Sequence, residues 1–251
     1  HTISQIIDQY DAFIIDLWGV VHDGVEAYDG ARECLFCMKE AGKTVVFLSN
    51  APRRSTQAVA KLEDLGITTN HYDHIITSGE VTHHYLKSAN HHYGKYYYML
   101  GPSRDDGLLD GLNFVRTRNA KKANFVLVTG FENDASVIDD ILPELEECLN
   151  HKLPLICANP DLLVVRKTGV QALCAGVISD QYQKMGGVTQ QFGKPYPNVF
   201  EECLHFINHP NSTRVGVIGD NLDTDIKGAN QAKLDSYLIP GGILGQALNI
   251  T

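Results

Sequence analysis

Ala12-Phe13-Ile14-Ile15-Asp16 is a run of four apolar residues closed by an acid, and its reading decides the fold. Nothing in the run alternates with polar residues, which is the pattern of a strand covered on both faces in a parallel sheet. The same design recurs at Thr44-Val45-Val46-Phe47-Leu48, which ends on Ser49-Asn50. Between the two, Gly30 to Ala41 has helical composition and closes on Gly42. Arg54 to Leu65, closed by Gly66, is a second such helix, and His74-Ile75-Ile76-Thr77 a third strand. The order β-α-β-α-β opens a doubly wound α/β fold with a parallel, Rossmann-like sheet. Ala41-Gly42-Lys43-Thr44 mimics the end of a P-loop. The earlier glycine that motif needs is Cys37, however, and the Gly-Lys leads into a strand rather than a helix.

The same grammar returns near the end of the chain. Asn198 to Asn208 reads as a helix, Arg214 to Gly219 as a strand ending on Asp220, Asp223 to Ala232 as a helix, and Ser236 to Ile239 as a last strand stopped by Pro240-Gly241-Gly242. The middle carries its own α/β pattern. Strands are expected at Tyr96–Leu100, Phe125–Thr129 and Pro154–Ala158, with an acidic helix from Ala135 to Leu149. A chain that opens a sheet, leaves it for about a hundred residues and returns has an inserted domain. The expected division is a core of residues 1–79 and 187–251 with a smaller α/β cap of residues 80–186.

With 251 residues, 43% hydrophobic and 20% charged, the chain has the composition of a globular protein. A net charge of −9 leaves no overall basic footprint for nucleic acid. No apolar run reaches the roughly 18 residues that span a bilayer, and residues 1–10 hold Asp8 without a basic region before an apolar one. The expectation is therefore a cytoplasmic protein with neither nucleic-acid nor membrane partners. The six cysteines read as buried reduced thiols, including the Cys34/Cys37 pair, which packs in a helix. His83-His84 and His91-His92 read as packing rather than ligands, since neighbours on a helix point to different faces.

In an open parallel sheet, ligands bind at the carboxyl ends of the strands. Asp16, Ser49, Asn50, Asp220 and Asp225 all fall there, and Gly193-Lys194-Pro195 precedes the Asn198 helix. Carboxylates suit a hard cation such as Mg²⁺, while a hydroxyl and an ammonium suit phosphoryl oxygens. One strand-end Asp is an ordinary helix cap, and a lone Lys194 would be an ordinary surface lysine. Several such residues sharing one crevice are harder to explain that way.

Asp16-Leu17-Trp18-Gly19-Val20-Val21, Leu48-Ser49-Asn50, Gly193-Lys194-Pro195 and Gly219-Asp220-Asn221-Leu222-Asp223-Thr224-Asp225 resemble, in order, the four motifs of the haloacid dehalogenase-like hydrolase superfamily. The string Gly219 to Ala229 and the insertion after the third strand resemble its class IIA branch of nitrophenyl phosphatase-like and NagD-like sugar phosphatases. Ala158-Asn159-Pro160-Asp161 and Cys174-Ala175-Gly176 are similar to that branch's cap. The resemblance implies a Mg²⁺-dependent phosphatase of small phosphorylated metabolites. Asp16 would be the nucleophile that forms an aspartyl-phosphate. The metal would be held by Asp16, the backbone carbonyl of Trp18, Asp220 and, directly or through water, Asp225. Ser49 and Asn50 would bind the phosphoryl group, and Lys194 would neutralise charge on it and on the nucleophile. The resemblance leaves a homodimer through the cap open.

One position departs from the pattern. Phosphatases of this superfamily usually carry an Asp two residues after the nucleophile, which protonates the leaving oxygen; here it is Trp18. An indole cannot shuttle a proton, and general acid–base catalysis is worth roughly 10²–10⁴-fold. His22 or Asp23 could substitute, leaving an active phosphatase. Alternatively, the chain could bind a phosphorylated ligand with impaired turnover. A third reading follows the superfamily's haloacid dehalogenases, which carry an aromatic residue there and need no Mg²⁺.

Overall fold

The computed structural model describes residues 3–89, 92–165, 170–208 and 214–240. His91 and Gly241-Gly242, which entered the sequence reading, lie outside them. The elements in chain order are α1 (Ile3–Ile6), β1 (Ala12–Ile15), α2 (Ala31–Glu40), β2 (Thr44–Ser49), α3 (Ser55–Asp64), β3 (His74–Thr77) and α4 (Ser78–Ser88). There follow β4 (Tyr96–Leu100), β5 (Val115–Thr117), β6 (Phe125–Val128), α5 (Leu142–Asn150), β7 (Leu155–Cys157), β8 (Leu163–Val165), β9 (Gln171–Leu173), α6 (Ala175–Lys184) and β10 (Thr189–Gln191). The chain closes with α7 (Pro197–Ile207), β11 (Val215–Gly219), α8 (Lys227–Gln231) and β12 (Asp235–Leu238).

Two five-stranded parallel sheets result. The first has the order β12-β11-β1-β2-β3 and the second β10-β7-β6-β4-β5. β1 lies at the centre of the first, with Ile14 level with Val46 on one side and Val217 on the other. Alternate residues of these apolar strands serve different cores. Phe13, Ile15, Val45 and Phe47 pack against Leu35 and Met38 of α2 and Leu62 of α3. Ile14, Val46, Leu48 and Val217 face Val199, Phe200 and Cys203 of α7. Helices thus cover both faces, as the unalternating runs require.

The central core does not stop at the first sheet. Val81 and Leu86 of α4 join it to Tyr97, Phe125, Leu127 and Ile156 of the second sheet. The opposite face of that sheet buries Val126, Val128 and Leu155 against Leu145 of α5 and Ile178 and Tyr182 of α6. We propose that the insertion, residues 80–186, is a cap built on this second sheet. Sheet membership follows that division except at β10, which pairs with β7 although it lies beyond residue 187.

Several local expectations need correction. The acidic helix expected from Ala135 begins only at Leu142, after a 3-10 turn at Ile138–Ile141, and Pro143 sits in its first turn. The expected helix over Asp223–Ala232 is a π turn, Leu222–Ile226, leading into the short α8. The polar strands β5 and β10 and the antiparallel β8-β9 hairpin lack the long apolar run that identifies the others. Helices α4 and α6 were also not anticipated. The first is set by Thr77, whose hydroxyl accepts a hydrogen bond from the Glu80 N–H at 3.0 Å. Of the cysteines, four are buried, but Cys34 is half-buried and Cys37 exposed, because the buried stripe of α2 runs through Leu35 and Met38. Among the described residues no helix is long and apolar enough to cross a membrane.

Candidate active site

Asp16, Ser49 and Asp220 stand at the carboxyl ends of β1, β2 and β11, which are neighbours in the first sheet. Asp225 is brought beside them by the π turn that follows β11. One carboxylate oxygen from each of Asp16, Asp220 and Asp225 lies within 4.8 Å of the others, and all three residues are buried. Lys194 comes from the loop before α7. Its ammonium bridges Asp16 Oδ1 at 2.5 Å and Asp225 Oδ1 at 2.8 Å and donates to the Leu48 carbonyl at 3.1 Å. Lys194 is 3% exposed, so it is no surface lysine.

Backbone placement makes this packing feasible. Gly19 has φ +85°, and a Cβ there would fall 2.1 Å from Asp220 Oδ2. Only glycine lets the 18–19 backbone lie against that carboxylate. Asn50 organises the far side. Its Oδ1 accepts from the Lys194 N–H at 2.7 Å, and its amide donates to the Lys194 carbonyl at 3.0 Å and to Asp161 Oδ1 at 2.7 Å. The Lys194-Pro195 peptide is cis. Ser49 is buried, its Oγ accepting from the Ala51 N–H at 3.2 Å.

The electrostatics show a shortage of positive charge. Burial raises the Asp16 carboxyl well above the ordinary range, and Asp225 and Asp220 raise it further, against the opposing pull of Lys194. Burial, then Asp225, pushes Asp220 up to about 7. Burial pulls the Lys194 ammonium down, but Asp16 and Asp225 outweigh it and hold its pKa above the usual lysine value. Three clustered carboxylates with one ammonium form an all-oxygen donor set that fits a hard divalent cation.

These groups form the floor of a cavity of about 510 Å³. Part of its wall follows strands of the second sheet, with Thr129 after β6, Asn159 after β7, and Arg104 and Asp105 after β4, and the β8-β9 hairpin adds Val164 and Leu173. The carboxyl ends of both sheets therefore face one space. The two cap motifs meet here as well, since Gly176 packs so closely on the 158–161 loop that a Cβ would lie 2.2 Å from the Pro160 carbonyl oxygen. Buried Asp105 pairs with Arg53 of the first sheet's loops at 2.9 Å. Sequence reading missed that pair, because neither residue lies in a motif.

Trp18 lines the cavity, its indole against Gly24 and edge-on to the His22 ring at 5.9 Å. His22 Nδ1 accepts from the Gly24 N–H at 3.0 Å, so the ring's own proton sits on Nε2. Burial, reinforced by Lys61, lowers the His22 pKa to about 4. Asp23 Oδ1 accepts from the Val25 and Glu26 N–H groups, both at 2.8 Å, closing a turn. None of Tyr96, Tyr97 and Tyr98 lines the cavity; Tyr97 is buried and stacked on Phe125, while Tyr96 is exposed.

Comparison with known proteins bears on the family and the fold. The family description "Haloacid dehalogenase-like hydrolase" matches residues 13–115 and a HAD-hydrolase-like description matches residues 191–249. The acid sugar phosphatase of Staphylococcus aureus (strain USA300) is 26% identical over 237 residues, 94% of this chain and 88% of that protein. The glycerol phosphate phosphatase of Mycobacterium tuberculosis, solved with calcium, shares the fold at a TM-score of 0.71 and 23% identity, over 95% of this chain and 68% of that one. A haloacid dehalogenase-like hydrolase from Brucella suis 1330 superposes with a TM-score of 0.89 at 31% identity, covering 97% of this chain and 94% of the other. Matched along nearly its whole length at that identity, the chain belongs to the haloacid dehalogenase-like hydrolase family.

Proposed function

We propose that this chain is a phosphoric monoester hydrolase of small phosphorylated metabolites, sugar phosphates among them, that works with Mg²⁺ through an aspartyl-phosphate on Asp16. The observation that carries the reading is the Lys194 bridge between Asp16 and Asp225 inside the buried carboxylate trio. The acid sugar phosphatase relative supports the substrate class.

Asp16, Asp220 and the Trp18 carbonyl would hold the cation, with Asp225 beside them. When bound, it offsets the repulsion between carboxylate and phosphate. An Asp16 oxygen attacks phosphorus, the P–O ester bond breaks, and the leaving oxygen takes a proton. Water then hydrolyses the acyl phosphate, regenerating Asp16 and releasing inorganic phosphate. Ser49 binds a phosphoryl oxygen, Asn50, whose amide hydrogens serve the Lys194 carbonyl and Asp161, positions Lys194, and Lys194 favours the ionised form of Asp16 against the effect of burial.

The proton for the leaving oxygen is the weak point. Trp18 has none to give. His22, held near pKa 4, is neutral at pH 7 and offers only a hydrogen bond from Nε2. Asp23 is engaged in its turn. The scheme therefore favours substrates with good leaving groups and slow turnover on alkyl phosphates. This same feature favours a second reading, a phospho-ligand-binding protein with impaired turnover. The dehalogenase reading is the weaker one, because it has no use for three clustered carboxylates.

Phosphate release from an activated aryl phosphate with saturating Mg²⁺ separates the readings. Turnover should exceed that of Asp16→Asn by about 10³-fold or more and vanish with a chelator. Rates equal to the Asp16→Asn control would leave the binding reading, and chelator-independent halide release from a 2-haloacid would restore the dehalogenase.

A further inference from the structure

A second cluster of ligating groups lies outside the cavity, where α4 meets α7. Glu80, His83 and His84 each offer a ligating atom within 4.8 Å of the others. Hydrogen bonding fixes the tautomer of the buried ring. His83 Nε2 donates to the Asp110 carbonyl at 3.2 Å, so its Nδ1 carries a lone pair. That nitrogen is buried and has no partner among the described residues, on a side chain 6% exposed. A buried acceptor left unpaired carries a desolvation cost and calls for a reason.

His84 lies between two carboxylates. Its Nδ1 is 2.9 Å from Glu202 Oε1 and its Nε2 is 3.3 Å from Glu80 Oε1. A neutral imidazole can donate to only one of them. The shorter contact takes the proton, which leaves the Nε2 lone pair facing a carboxylate oxygen. Two facing acceptors need a cation between them. A proton on Nε2 would satisfy that pair but would leave the buried Nδ1 of His83 as it is. A metal ion satisfies all three at once.

The chemistry fits. In a tetrahedral zinc site with bonds near 2.0–2.2 Å, adjacent donor atoms are about 3.3 Å apart, matching the His84–Glu80 contact. A histidine that binds metal typically donates its other N–H to a carboxylate, which is the place of Glu202. Arg54 holds the Glu80 carboxylate through both oxygens, at 2.8 and 2.9 Å, fixing its orientation. Oε1 keeps a second lone pair, and Glu80 and Glu202 together outweigh the one guanidinium. We propose that Glu80, His83 and His84 form a second metal site, for a borderline cation such as Zn²⁺, with Glu202 orienting His84 and water completing the shell. The ion would clamp one turn of α4, the helix that joins the two sheets, while the His84–Glu202 hydrogen bond ties the site to α7. Sequence reading set the His83-His84 pair aside because neighbouring residues diverge; the partners that reunite them are Glu80, one turn back, and Glu202, 118 residues away.

The test uses the full chain, stripped with chelator, loaded with Zn²⁺ and passed through gel filtration, with bound zinc measured. An Asp220→Asn background removes the carboxylate trio as a competing site and should still retain one equivalent. His84→Asn, at a side chain 52% exposed, removes a ligand without disturbing a core and should weaken zinc binding at least tenfold. Glu202→Gln should weaken it about 10–100-fold. Co²⁺ in place of Zn²⁺ should give the strong visible absorption of a tetrahedral nitrogen–oxygen site in wild type and lose it in His84→Asn. Zinc retained equally by wild type and His84→Asn, or by neither, overturns the proposal. Unchanged affinity in Glu202→Gln removes Glu202 from it.

Discussion

The two sheets share a design and differ in chemistry. Both have five parallel strands, and the carboxyl ends of both open into one cavity. At the ends of the first sheet stand Asp16, Ser49 and Asp220, buried and converging on Lys194. At the ends of the second stand Thr129, Asn159 and the Asp105 that Arg53 neutralises. Parallel topology supplies two sets of strand ends, but among the described residues the ammonium and the carboxylate trio stand at the ends of the first. A fold offers the place for chemistry, and the residues placed there decide whether any occurs. In the proposed cap, the second sheet would serve as a lid whose polar groups meet whatever binds.

After the loss expected in Asp16→Asn, the next largest effect should follow Lys194→Met. It removes the ammonium that bridges the carboxylate trio and should cost roughly 10²–10³-fold in turnover. It should also destabilise the metal-free protein by about 3 kcal/mol, read from denaturant unfolding, because buried carboxylates lose their partner. An activity loss under threefold would mean the first sheet's floor is not a reaction centre. Trp18→Asp supplies the proton donor that the floor lacks, and kcat on alkyl phosphates should rise by about 10²-fold. An unchanged rate would show that the aromatic belongs to the cavity wall and another group already gives the proton.

Smaller effects are expected on the lid side. Arg53→Ala breaks the pair joining the sheets' loops; half-exposed as Arg53 is, KM should rise up to about fivefold with kcat little changed. A matching fall in kcat would put Arg53 in the chemistry. The smallest effect concerns pH. His22 has a folded pKa of about 4 against the usual 6.5, so the unfolded chain takes up a proton in that window more readily than the folded one. Its contribution to stability is complete above pH 6.5 and is lost as pH falls from there to 4. His22→Asn should flatten the unfolding profile across that window, and an unaltered slope would contradict the buried neutral ring.

Legibility in the sequence tracked how local each signal was. β1, β2 and β3 were readable because each is an apolar run that needs no neighbour to explain it. β5 and β10 were not, since three residues with at most one apolar side chain among them become a strand only when a partner's edge is offered to them. The floor residues were readable through their motifs and their positions after strands. Asp105 and Arg53 were not, because what links them is a contact across 52 residues of chain. His22 shows the limit clearly: its identity suggested a proton donor, while its burial and the Gly24 N–H decided its protonation.

The sequence by itself determined the α/β class, the central strands and the residue types of the candidate site, because apolar runs, helix ends and chemical identity are local properties. Tertiary structure alone decided that Lys194 lies between Asp16 and Asp225, that both sheets open on one cavity, and that Glu202 meets His84. Distance, desolvation and shared protons exist only between groups that folding has brought together.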